Sequence, residues 1–241
     1  MINAKTTLLT ALVCSLFFLQ GCATQGSRVA SSDSAKRLHE VLKNHRVDAN
    51  RPIQCHGRQK AAIDCRSLAR ALESLTLEFP RAPDILVTTA FVQYQLGRTL
   101  DSQFTLDQAL SLAQPMPEAG VLRSRIALID GNFTLARDIV ARQLRLAPDY
   151  APLYESEAAG YFLQGRYEKA LASLHQAEML GTPSWRIEFH RGLVHQAMGH
   201  PLVACSHYTK VLNEYPKHRA TKARLRLLGS QHNCYQNTLT Q

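Results

Sequence analysis

The chain has 241 residues, 45% of them hydrophobic, which is enough for one large or two small domains with a substantial buried core. It carries 28 lysines and arginines against 19 acidic residues, a formal charge of +9, but aromatics are only 7% and do not interleave with the cations as a nucleic-acid surface requires. Alanine and aliphatic residues are plentiful and β-branched runs are rare, which excludes a strand-rich fold and predicts an all-α one.

The amino terminus opens on Lys5 and an apolar run of thirteen residues, Thr7 to Leu19, too short to span a bilayer and of the length of a signal-peptide core. The run ends in Leu19-Gln20-Gly21-Cys22, which resembles the lipobox of bacterial lipoproteins. The resemblance implies that residues 1–21 are removed and that Cys22, then the first residue, receives the lipid chains. Several acyl chains anchor stably, since each buried methylene contributes about 0.8 kcal/mol. Ala23 stands where many inner-membrane lipoproteins have aspartate, so the expected location is the periplasmic face of the outer membrane. Residues 22–33 are small, polar and aperiodic and read as a flexible tether.

Residues 34–82 follow as amino-terminal capping helices, over Ser34–Arg46 and Ala61–Phe79, the second with Leu68, Leu72, Leu75 and Phe79 at helical spacing. The basic excess of Ser31 to Arg70, nine cations against four acidic residues, reads as a solvated face, with an acidic envelope surface as the alternative.

From Pro83 to Pro216 the chain repeats. Gly97, Gly131, Gly165 and Gly199 lie 34 residues apart; Ser102, Ala136, Ala170 and Ala204 follow each by five, and Leu106, Val140, Leu174 and Tyr208 by nine. Prolines 80, 115, 148, 183 and 216 close the units. A helix–turn–helix unit of this period resembles the tetratricopeptide repeat, with copies beginning near Pro83, Pro117, Ala151 and Trp185. The resemblance implies a helical-hairpin solenoid of four repeats over 83–216, with 217–241 as a carboxy-terminal capping helix and tail. The first copy departs from the family pattern at Gln93 and Ser102, the fourth at His195. The cations of the last helix, Arg219, Lys222, Arg224 and Arg226, are expected to face water while Leu225 and Leu228 pack inward.

Four cysteines remain after the signal segment and Cys22: Cys55, Cys65, Cys205 and Cys234. An even number in an oxidising compartment points to disulfides, with three pairings open; Cys55–Cys65 with Cys205–Cys234 closes the shortest loops. No CxxC or HxxxH spacing supports a metal site. His190, His195, His200 and His207 cluster in the last repeat, but five residues along a helix is about 140° round its axis, so His190 and His195 do not share a face. They read as packing and surface histidines, with pH sensing as the alternative. No nucleophile–base, phosphate-loop or dinucleotide pattern is present, so the expectation is a protein without catalytic residues or cofactor.

The family binds peptides along the inner face of its first helices. Carried over, the lining positions are Asp84, Val87, Phe91 and Tyr94 in the first copy and Glu118, Val121, Arg125 and Leu128 in the second. The third copy gives Pro152, Glu155, Ala159 and Phe162, and the fourth Arg186, Phe189, Leu193 and Gln196. The resemblance thus implies a protein or peptide partner held by apolar anchors and a few charges, with some of these side chains instead meeting the flanking helices. The asparagine-and-lysine clamp by which some members hold a carboxy-terminal carboxylate is not in the sequence. The expected function is a lipid-anchored periplasmic scaffold for pilus or secretion-machine assembly, touching the membrane through its anchor alone and binding no nucleic acid. The alternatives are an adaptor for a murein hydrolase or protease, and a peptidoglycan-binding protein or enzyme.

Overall fold

A computed structural model describes residues 23–48, 53–55, 63–112, 114–232 and 234. The signal segment and Cys22 lie outside the described residues. Eleven helices and no strands occur among those residues, and the chain divides into two compact units at Thr105/Leu106.

The first unit holds α1 (Ala23–Asn44), α2 (Cys65–Glu78), α3 (Pro83–Gln95) and the start of α4 (Thr99–Leu110). Its α1 begins at Ala23, so the segment expected to be a tether is helical from that residue on. The stretch lacks proline and carries Ala23, Gln25, Arg28 and Ala30, all good helix formers; missing apolar periodicity argues against a buried face, not against a helix. Helix α2 starts at Cys65 because the Asp64 carboxylate accepts the Arg66 and Ser67 amides, each at 3.1 Å. Leu68, Leu72, Leu75, Ile85 and Val92 form the core of this unit with Leu38 and Cys65. Cys55 and Cys65 are disulfide-bonded across 5.6 Å between Cα atoms, and the Gln95 side chain takes the Cys55 amide at 2.8 Å and donates to the Ile53 carbonyl.

The second unit continues from α4 into hairpins α5 (Pro117–Ile129) with α6 (Phe133–Leu146), α7 (Ala151–Leu163) with α8 (Tyr167–Met179), and α9 (Ser184–Ala197) with α10 (Pro201–Glu214), closed by α11 (Arg219–His232). Each helix packs on its hairpin partner, consecutive hairpins pack α6 on α7 and α8 on α9, and the first helices α5 and α7 also meet. The turn glycines Gly131, Gly165 and Gly199 have φ of 74°, 69° and 78°, a region that side-chain-bearing residues avoid. Gly97, at the equivalent turn of the first unit, has φ 76°.

The repeated small residues are buried throughout: Ala136, Ala170 and Ala204 are 3%, 0% and 0% exposed, so paired helices approach closely there. Behind them Val140, Leu174 and Tyr208 fill the space between the helices. Helix α11 lays Leu225 and Leu228 onto Tyr208 and Cys205, and Cys205 is disulfide-bonded to Cys234. Its Arg219, Lys222, Arg224 and Arg226 are exposed.

The two departures in the first repeat are satisfied by local hydrogen bonds. Gln93 is buried, donating to Glu73 at 3.0 Å and accepting the Thr105 hydroxyl at 3.0 Å, while Ser102 donates to the Ala90 carbonyl at 2.8 Å. In the last repeat the His195 ring stacks on His207, 5.1 Å away and 9° from parallel.

Candidate functional site

Helical spacing brings three first helices of the second unit to one open depression. Val121, Arg125 and Leu128 share a face of α5, Pro152, Glu155, Ser156 and Ala159 a face of α7, and Arg186 and His190 a face of α9. Together they enclose a volume of about 400 Å³. Val121, Leu128, Pro152 and Ala159 make the apolar walls, and the charged groups lie between them.

One ion pair is built into the site. Arg186 donates from Nε and Nη2 to the two Glu155 carboxylate oxygens at 2.7 and 2.6 Å, a bidentate geometry that joins α9 to α7. The Thr182 hydroxyl adds a long contact of 3.5 Å to the same carboxylate, which is 11% exposed. His190 Nε2 lies 3.9 Å from Glu155, yet its pKa is lowered. Burial is the main cause and outweighs the attraction of Glu155, with Arg186 and His218 opposing protonation as well. The Ser156 hydroxyl is given to the Pro152 carbonyl at 3.0 Å. Arg125 is exposed and makes no ion pair or side-chain hydrogen bond among the described residues. The arrangement is suited to holding a ligand by apolar contact and charge.

Of the lining positions carried over from the family, the structure brings Val121, Arg125, Leu128, Pro152, Glu155, Ala159 and Arg186 to this depression. Phe162 does not line it; the ring lies 6.0 Å from Tyr167 and packs into the cluster of α7 and α8. Phe189 and Leu193 are drawn the other way. Both pack into the cluster that α11 closes, with Phe189 edge-on to His218 at 4.9 Å and 6.1 Å from Tyr208. Val87, Phe91 and Tyr94 are half-buried on α3 in the first unit. Ser156 and His190 are groove residues outside the family positions; each follows one by four residues, from Pro152 and Arg186, and so shares its face.

The other histidines belong to a separate network. His207 Nδ1 is 2.7 Å from Glu188, which also contacts Arg191 at 3.2 Å and Lys210 at 3.6 Å, and Arg191 pairs with Glu178 at 2.6 Å. Burial pushes the Glu188 carboxyl up, but His207, Lys210 and Arg191 outweigh it and hold the pKa low. His195 has a lowered pKa, from burial first and then from His207 and His200, and its buried Nδ1 has no hydrogen-bond partner among the described residues. Among the described residues no group of histidines, cysteines and carboxylates is placed to hold a metal ion, and no helix is long and apolar enough to cross a membrane.

No family model matches the chain, and no curated protein does. Solved structures do. MamA from Desulfovibrio magneticus RS-1 superposes with a TM-score of 0.57 at 18% identity, over 78% of this chain and 98% of that one. TTC0263, a thermophilic TPR protein of Thermus thermophilus, gives 0.55 at 23% identity over 81% and 98%. PilW, described as a widely conserved type IV pilus biogenesis factor, gives 0.57 at 14% identity over 84% and 100%. The fold is an all-α, tetratricopeptide-type helical-hairpin solenoid. Such identities establish the fold alone.

Proposed function

We propose that the protein is a lipid-anchored scaffold at the periplasmic face of the outer membrane, without chemistry of its own, which holds a protein partner in the depression between α5, α7 and α9. The carrying observation is the open site, with apolar walls from α5 and α7 and a pre-formed Arg186–Glu155 pair joining α7 to α9. Rigid, pre-paired polar groups among apolar walls favour recognition, because little ordering remains to be done on binding. The machine it serves is the assembly apparatus of a pilus or secretion system, a reading supported by its likeness to PilW.

Two experiments test this. Affinity purification from envelope membranes should recover a partner with the wild type and lose it with Ala159→Arg, which fills an exposed position of the site without disturbing the core. Recovery of a murein hydrolase in place of pilus or secretion components would overturn the machine assignment. For the anchor, Cys22→Ala should release the protein from the outer-membrane fraction; unchanged fractionation would contradict lipidation at that residue.

A further inference from the structure

The outward face of α11 holds its charge at a cost to the helix itself. Thr221, Leu225 and Leu228 are its buried side, and Arg219, Lys222, Arg224 and Arg226 are exposed. Lys217 just before them is exposed too, and no acidic residue occurs from Tyr215 to the end of the sequence. None of these cations makes an ion pair or side-chain hydrogen bond among the described residues, whereas Arg98, Arg123, Arg186 and Arg191 each hold a carboxylate. Arg219 and Lys222 stand in the first turn, where the helix dipole opposes positive charge. Lys222 is three residues from Arg219 and four from Arg226, the spacings at which like charges repel. An anionic surface against this face relieves both.

Helical geometry sorts the face further. Arg219, Lys222 and Arg226 form one row, Ala220, Ala223 and Leu227 an exposed strip beside it, and Arg224 lies on the far side of that strip. Leu227 is 50% exposed. The helix of 14 residues is about 21 Å long, so one face of it falls well short of the roughly 800 Å² per partner in a stable protein interface. Lipid phosphates need no such area and no cleft, because each cation meets them separately while the apolar strip sits at the headgroup boundary. We propose that α11 docks lengthwise on an anionic phospholipid bilayer, with its cations on lipid phosphates and Leu227 at the headgroup boundary. This adds a second membrane contact to the anchor at Cys22, and it rests on the reading that the protein works at a membrane.

The full chain purified from envelope membranes, with an environment-sensitive fluorescent amino acid at position 223, would be mixed with vesicles of phosphatidylcholine alone or with phosphatidylglycerol added. Mass spectrometry of the same preparation reports whether Cys22 carries lipid. Emission should shift to the blue on phosphatidylglycerol vesicles and not on phosphatidylcholine, and added salt should reverse the shift. A variant combining Arg219→Gln, Lys222→Gln, Arg224→Gln and Arg226→Gln should need at least about tenfold more phosphatidylglycerol for the same shift. Its circular dichroism should match the wild type, because the buried side of α11 is unchanged. No shift on either vesicle, an equal shift on both, or a shift unaltered in the variant would overturn the inference. So would a shift produced by polyglutamate and not by the vesicles, which assigns the face to an acidic protein. The two readings fail separately. A phosphatidylglycerol-dependent shift from protein without lipid on Cys22 upholds the α11 contact and removes the anchor; lipidated protein that shows no shift does the reverse.

Discussion

At Gly192 the chain of α9 passes so close to α10 that a Cβ there would lie 2.7 Å from Cδ1 of the Tyr208 ring. Tyr208 is fully buried and its hydroxyl donates to Gln196 at 2.9 Å, so the ring has no room to retreat. Gly192→Ala should therefore lower stability by about 1–3 kcal/mol through overpacking, despite the better helix propensity of alanine. Thermal or denaturant unfolding checks it; an unchanged midpoint would mean the ring yields. The histidines give a pH dependence of definite sign. His195 and His190 both have folded pKa values below the ordinary 6.5, so the unfolded chain binds protons that the folded one resists. Their contribution to stability is complete above that value and is lost as pH falls below it towards the folded pKa values. Urea midpoints measured from pH 7.5 to 5 should fall, and His195→Gln should flatten the fall. At lower pH the depressed Glu188 carboxyl adds a further loss, since its ion pairs vanish on protonation.

The helical hairpin is the element on which stability rests. Ala170 is fully buried between α7 and α8, and Ala170→Glu would place a charge in that crossing with no space and no partner, costing about 3 kcal/mol or more. Loss of helical content by circular dichroism at ambient temperature is the expected readout. The Cys205–Cys234 bridge closes a loop across 29 positions and ties the end of the chain to α10, so replacing both cysteines by serine should cost about 2–4 kcal/mol. This register was legible from the sequence because its determinants are local. A left-handed turn demands Gly131, Gly165 and Gly199, and a close crossing demands small residues at fixed offsets, whatever the rest of the chain does. The orientation of groove candidates was less legible, because it depends on what covers the last hairpin. Phe189 and Leu193 occupy lining positions of the family pattern, yet α11 gives them a core to join. Ser156 and His190 enter the site by the four-residue spacing of the helix alone. The start of α1 was illegible for another reason: residues 23–33 have no apolar stripe, and Gly26 and the serines among them are weak helix formers, so nothing local announces the helix.

For the molecule as a whole, fold and function separate. Two compact units, repeated hairpins and a likeness to MamA, TTC0263 and PilW describe a fold, and one fold hosts many unrelated functions. Function has to be argued from the depression of the second unit, whose walls come from three hairpins and whose charges are already arranged. The most direct test is to place a photo-crosslinking amino acid at position 159, inside the depression, and in a second protein at position 179, where Met179 is 71% exposed and lies outside it. Irradiation of intact cells should give a discrete cross-linked species from position 159 and none from 179. Adducts from 179 with none from 159 would contradict the assignment of partner binding to this site.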